Sequence, residues 1–200
     1  VLRKALEDAG GFGALTGVFV DWSEQPKSFL NRGFSRDAVE RLIFANSLHA
    51  LDLITHLAGA VPYPLVQVQD LGEPLRWNMA LTGLSERGIL VNFTSTWDSP
   101  ARWRMSLTSP GRRYTLAPLE TCSVLEQGSW QERIIDPDPV DSEFKPGFHR
   151  QALAFLALVR GRTSPEGPSL ESLRPGMRLA DALTEALLSA SETETEPGDS

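Results

Sequence analysis

Three consecutive stretches of two-residue alternation constrain this chain most. Trp77, Met79 and Leu81 alternate with Arg76, Asn78, Ala80 and Thr82, and Ile89, Val91, Phe93 and Trp97 alternate with Asn92, Thr94 and Thr96. Trp103, Met105 and Leu107 then alternate with Arg102, Arg104, Ser106 and Thr108. Successive side chains of a strand point to opposite faces, so one apolar and one polar set per strand predicts an antiparallel sheet covered on one side. Gly83 to Gly88 supplies a hairpin connection between the first two, and Ser109-Pro110-Gly111 a turn that ends the third. Leu65 to Gln69 alternates in the same way, Tyr114 to Leu116 and Thr121 to Leu125 can extend the sheet, and Ala14 to Trp22 reads as a first strand.

Helical spacing brackets these strands. Arg41 to Ala45 is an apolar run, Asn46-Ser47 a polar stop, and Leu48, Leu51, Ile54, Thr55 and Ala58 form a buried stripe closed by Gly59. Asn46 or Ser47 is the expected N-cap. Phe148 to Arg160 predicts an amphipathic helix ending at Gly161, and Leu170 to Leu188 a last helix whose start Pro175-Gly176 breaks or delays. Residues 23–40 read as a polar surface loop with a helical turn near Arg36–Glu40, and 136–147 as an acidic, proline-rich loop. Val1 to Ala9 has the spacing of a helix end, with Leu2, Ala5, Leu6 and Ala9 on one face. The fold class is therefore α+β, an open, mostly antiparallel sheet with helices packed on one face.

The 200 residues suit one large domain, or one and a half small ones, and 41% hydrophobic with 22% charged residues is ample for a core. A formal charge of −7 argues against a nucleic-acid binder, and no run reaches the ~18 apolar residues of a membrane span. Glu192, Glu194, Glu196 and Asp199 give residues 191–200 the composition of a disordered acidic tail. A lone Cys122 excludes an intrachain disulfide framework, fits a reducing compartment and makes the cytoplasm the expected location. It lies in an apparent strand without a histidine motif, so it is expected to be inert, and the five tryptophans fall mainly on apolar strand faces.

The candidate chemistry sits on the central helix. His49, Asp52 and His56 recur at i, i+3 and i+7 and share a face away from the apolar stripe. An imidazole beside a carboxylate suits proton transfer, a hydrogen-bonded core pair, or, with all three residues, a zinc-type site of a metal-dependent hydrolase.

Leu-His-Ala-Leu-Asp-Leu-Ile-Thr-His-Leu-Ala-Gly (48–59) resembles the H-x-x-D-L-x-x-x-L-x-G segment of the glucose–fructose oxidoreductase/inositol dehydrogenase family, Gfo/Idh/MocA. Gly13 to Trp22 is similar to the first strand of that family's second domain, and Gly147-Phe-His-Arg-Gln to Gly161 to its G-F-x-x-Q helix. The closing helix 170–190 matches as well, so the resemblance covers nearly all of the chain but the tail. It implies a division into 1–12, the end of a crossover helix from a preceding Rossmann domain, 13–190, a substrate-binding and oligomerisation domain, and the tail 191–200. The resemblance implies an NAD(P)-dependent oxidoreductase acting on a sugar, polyol or related hydroxy compound, with NAD or NADP bound by the other domain. It implies acid–base chemistry at His49, an orienting role for Asp52, and a homo-oligomer through the polar sheet face bearing Arg76, Asn78, Asn92, Thr94, Arg102 and Arg104; Asn46 and Ser47 carry groups that can hydrogen-bond a sugar hydroxyl, and with Asp52 they are the expected substrate-binding residues. No G-x-G-x-x-G follows a strand here, because Gly10-Gly11-Phe-Gly13 follows a helix and lacks the third glycine. The family's Glu-Lys-Pro segment is absent, and Ala45 stands where the family often has an Asp. The alternative those departures permit is a non-catalytic scaffold or binding module that has lost its cofactor domain.

Overall fold

The computed structural model describes residues 6–7, 11–97, 99–100, 103–162 and 169–192. Its centre is a sheet of eight strands: β1 (Gly17–Glu24), β2 (Leu65–Asp70), β3 (Trp77–Leu84), β4 (Leu90–Trp97), β5 (Arg104–Ser109), β6 (Arg112–Leu116), β7 (Cys122–Glu126) and β8 (Arg133–Ile135). The spatial order is β2-β3-β4-β1-β5-β6-β7-β8. β1 runs parallel to β4 and every other described pairing is antiparallel. The expected α+β class and open sheet are what the chain forms.

Register explains the core. Val18, Val20 and Trp22 of β1 stand opposite Val91, Phe93 and Ser95 of β4, and Val18 and Val20 opposite Leu107 and Met105 of β5. Met79 and Leu81 continue this face on β3, and all of these side chains are buried. Over it lie α3 (Leu48–Ala58), against β1, and α6 (Leu170–Glu192), against α3 and β2. The α3 stripe is the predicted one, with Leu51, Ile54, Thr55 and Ala58 buried, and α6 buries Leu179, Ala180, Leu183 and Leu187. Trp77 and Trp97 meet edge to face, their centroids 4.9 Å apart. Trp130 is the exception among the tryptophans, fully exposed. The opposite face carries Gln67, Gln69, Asn78, Thr82, Asn92, Thr94 and Arg104, none of them buried.

Several boundaries depart from the sequence reading. The polar stretch 23–40 holds α1 (Pro26–Asn31) as well as the expected α2 (Arg36–Glu40), because Pro26 opens a helix at a position where its missing N–H costs nothing. The proline-rich loop contains α4 (Pro139–Glu143), capped by the Asp138 carboxylate on the Val140 amide, and β8 was too short to read. Pro175-Gly176 does not break or delay α6, which begins at Leu170. Pro175 sits early enough that the carbonyl it leaves unpaired belongs to the exposed Glu171, where water can reach it. Gly176 is where α6 crosses α3: a Cβ there would lie 3.2 Å from the Asp52 Cα. α5 (Phe148–Val159) is the expected amphipathic helix, yet it buries none of its residues. Of the expected crossover helix only Leu6 and Glu7 are described, both helical. The acidic tail is described only at Ser191-Glu192, which end α6, and Arg102 also lies outside the described residues.

Candidate functional site

Glu24 ends β1 on the same face as Val18, Val20 and Trp22, so the alternation that builds the core also drives a carboxylate into it. It is 1% exposed. Three side chains donate to it: Ser47 Oγ at 2.6 Å and Trp22 Nε1 at 2.9 Å to Oε1, and Asn46 Nδ2 at 2.7 Å to Oε2. A buried carboxylate is stable only with such partners, and hydrogen bonds to a charged group contribute about 1.5–3 kcal/mol each. Burial pushes the Glu24 carboxyl above its ordinary range, while the bonds from Ser47, Asn46 and Trp22 and the charge of His49 pull it back part of the way.

Asn46 and Ser47 do not cap α3. The backbone runs from Leu42 through a wide π-turn, Ile43–Ser47, straight into α3, and Ser47 has helical angles and no capping bond. Their side chains are withdrawn from the helix end because Glu24 takes both. A π-turn widens the backbone by one residue, a distortion that recurs at functional sites. Trp22 is also stacked on Trp103, centroids 4.0 Å apart and planes 9° apart, and Trp103 Nε1 donates to the Ser23 carbonyl at 3.0 Å. β1, the residue that leads into β5 and the π-turn are thereby locked into one corner.

The expected site residues divide across this corner. Ser47 is buried, Asn46 half-buried, and His49 and Ala45 exposed. The exposure of His49 removes the core-histidine reading. Asp52 is half-buried and its main chain is the surface against which Gly176 packs, while its carbonyl accepts from Thr55 Oγ1 at 3.0 Å. His56 is exposed, and among the described residues no group of three His, Cys, Asp or Glu could hold a metal ion. Cys122 is buried, and burial raises its thiol pKa. Glu24 is the member the sequence reading missed. Its signal was the parity of Val18, Val20 and Trp22, continued two residues further.

Among the described residues no glycine loop leads from a strand into a helix N-terminus. Gly11, in the left-handed region at φ +80°, leads into a short turn (Phe12–Ala14) and then β1, the reverse of strand, glycine loop, helix. The two described strand-to-helix turns, at Gln25 and at Asp136–Asp138, contain no glycine. A pyrophosphate needs that close backbone approach at a helix N-terminus.

No protein-family model matches the sequence, and no curated protein is significantly similar to it. Solved structures are similar in fold. A dehydrogenase from Chromobacterium violaceum superposes with a TM-score of 0.74 at 17% identity, over 98% of this chain and 61% of that one. UDP-N-acetylglucosamine 3-dehydrogenase GnnA from Acidithiobacillus ferrooxidans gives 0.65 at 17% identity, over 92% and 56%. A levoglucosan dehydrogenase in complex with NADH and levoglucosan gives 0.67 at 13% identity, over 92% and 60%. The chain thus spans about three fifths of the length of these neighbours. At such low identity the likeness establishes architecture, and the α+β fold of this chain is one that these dehydrogenases contain.

Proposed function

We propose that this chain is the substrate-binding and oligomerisation domain of an NAD(P)-dependent oxidoreductase acting on a sugar, polyol or related hydroxy compound. One observation carries the reading: His49 is exposed on the first turn of α3, beside a corner braced by Glu24, on a fold shared with dehydrogenases. Oxidation of an alcohol releases a proton as well as a hydride, and an imidazole is the side chain suited to take that proton near neutral pH. Asn46 contacts a substrate hydroxyl, and Asp52 holds α3 against α6. The nicotinamide is held by a separate dinucleotide-binding domain.

The test is His49→Asn in the protein supplied with a dinucleotide-binding domain, in cis or in trans. The variant keeps hydrogen-bonding capacity and loses titration. Turnover should fall by about 10²–10⁴-fold with little change in folding; turnover at the wild-type rate would refute the assignment. Titration calorimetry of this chain alone with NAD and NADP should give no micromolar binding. A second reading, a non-catalytic binding module, draws on the exposed Ala45 at the position where the family resemblance calls for a second carboxylate. Oligomerisation is assigned to the polar sheet face, which ends in the exposed Leu65, Leu84 and Leu90. Light scattering that gave a monomer at every concentration would remove that part.

A further inference from the structure

Helix α5 carries six large apolar side chains that are 44% or more exposed, and it buries none of its residues. Its inner side is marked by what touches the domain: Ala154 and Ala157 are half-buried, and Arg150 donates to Asp138, the cap of α4. At 3.6 residues per turn the opposite side is Phe148, Ala152, Phe155 and Val159. Steps of four, three and four residues are those of the seam along which two helices interlock. The two ends of α5 differ in charge. Asp136, Asp138, Asp141 and Glu143 precede it, and Asp141 Oδ1 accepts from the Gly147 amide at 2.9 Å. Lys145, the cation among them, lies over the Phe148 ring, 4.4 Å from its centroid. Arg160 and Arg162 close the helix, the Arg162 amide donating to the Ala157 carbonyl at 2.9 Å.

We propose that α5 is a docking surface for a second copy of this chain, the two helices lying antiparallel about a two-fold axis between Ala152 and Phe155. That axis sets Ala152 against the partner's Phe155, and Phe148 against the partner's Val159. Each layer of the seam joins a larger side chain to a smaller one and occurs twice, as an isologous contact requires. A parallel pair would set ring on ring and methyl on methyl, leaving a bump beside a gap. The antiparallel pair also brings the arginine end of each helix to the acidic end of the other, so charge and size select the same arrangement. One helix leaves roughly 500–600 Å² of apolar surface in water, the upper end of what a monomer shows. Two copies together remove roughly 1,000–1,200 Å², the low end for a specific interface, so the contact is reversible. The chain is then a monomer near ~1 µM, with α5 exposed, and pairs toward ~1 mM. This contact is separate from the polar sheet face and does not depend on the proposed function.

Sedimentation equilibrium of this chain and of Phe155→Ser, from ~1 µM to ~1 mM, is the test. The variant should fold, because the ring it removes stands in water. At the highest concentration the wild type should have twice the mass of the variant, whatever association the sheet face gives to both. Two further changes test the register. Ala152→Phe sets ring against ring and Phe155→Ala opens a gap, and each should weaken the pairing by about tenfold or more. The double variant Ala152→Phe/Phe155→Ala exchanges the large and small positions on both copies, and should return to within about threefold of the wild type. Equal masses for the wild type and Phe155→Ser would overturn the proposal and leave the helix to a different protein surface, a dinucleotide-binding domain included. A double variant that pairs no better than either single one would overturn it too, because the antiparallel seam would then be wrong.

Discussion

Helices α6 and α5 look alike in sequence, each with an apolar stripe at helical spacing, and they end in opposite circumstances. α6 lays Leu179, Ala180, Leu183 and Leu187 onto α3 and β2, each of the four nearly inaccessible. α5 turns Phe148, Phe155 and Val159 to solvent, with 54%, 64% and 67% of their surface exposed. An apolar stripe records that a face is made to be covered; it does not record by what. The difference lies in what each helix meets. α6 has a partner shaped for it, down to a glycine that lets two backbones approach.

That contrast can be broken most strongly at Leu183. Its side chain is fully buried between α6 and the layer beneath, so Leu183→Ala should lower stability by about 2–5 kcal/mol, read from chemical denaturation. A loss below 1 kcal/mol would mean that α6 is held no more firmly than α5. Gly176→Val tests the crossing itself. A Cβ would press on the Asp52 backbone at 3.2 Å, and backbone yields less readily than a side-chain tip, so a cost of about 1–3 kcal/mol is expected. Gly176→Val at wild-type stability would show that the helices are further apart in solution.

The same comparison shows what was readable beforehand. The strands were legible because alternation is a local property, and β1, β3, β4 and β5 lie within a few residues of where period two puts them. The α3 stripe was legible for the same reason. Asn46-Ser47 misled because Asn and Ser ahead of an apolar run carry the local signature of a cap. What overrides it is a carboxylate 22 and 23 residues earlier in the chain, and no local rule sees a tertiary partner. Glu24 itself is hidden by its neighbours: the polar run that follows it reads as loop and masks the inward parity of its own position. Pro175 reads as a break because its local penalty is real; the exposed Glu171 carbonyl, open to water, and the packing of Gly176 on Asp52 are what offset it.

The α3 corner differs from α5 also in being held partly by a titrating group. Burial raises the Glu24 carboxyl above its unfolded value, so between the two values the folded chain binds the proton that the unfolded chain has lost. Stability therefore declines as pH rises from the ordinary carboxylate pKa through the raised one, and the burial cost is fully present above it. Below both values Glu24 makes no difference of this kind. Denaturation of the wild type and Glu24→Gln across that interval should show the gap between them changing with pH in this sense. A gap independent of pH would mean that Glu24 titrates alike in both states.

The smallest expected effect is at the exposed helix, and it tests the contrast from the other side. Phe155 contributes little to folding if its ring already stands in water, because removing an exposed side chain from the folded state removes nearly the same exposure from the unfolded one. Phe155→Ser should therefore change the stability of this chain by less than about 0.5 kcal/mol, against several for Leu183→Ala. Serine and phenylalanine are helix formers of about equal strength, so no sizeable propensity term adds to this. Ala154 and Ala157, the partly covered residues on the other side of α5, set the control. If Phe155→Ser cost as much as a core substitution, the ring would have to be buried in solution, and α5 would belong with α6.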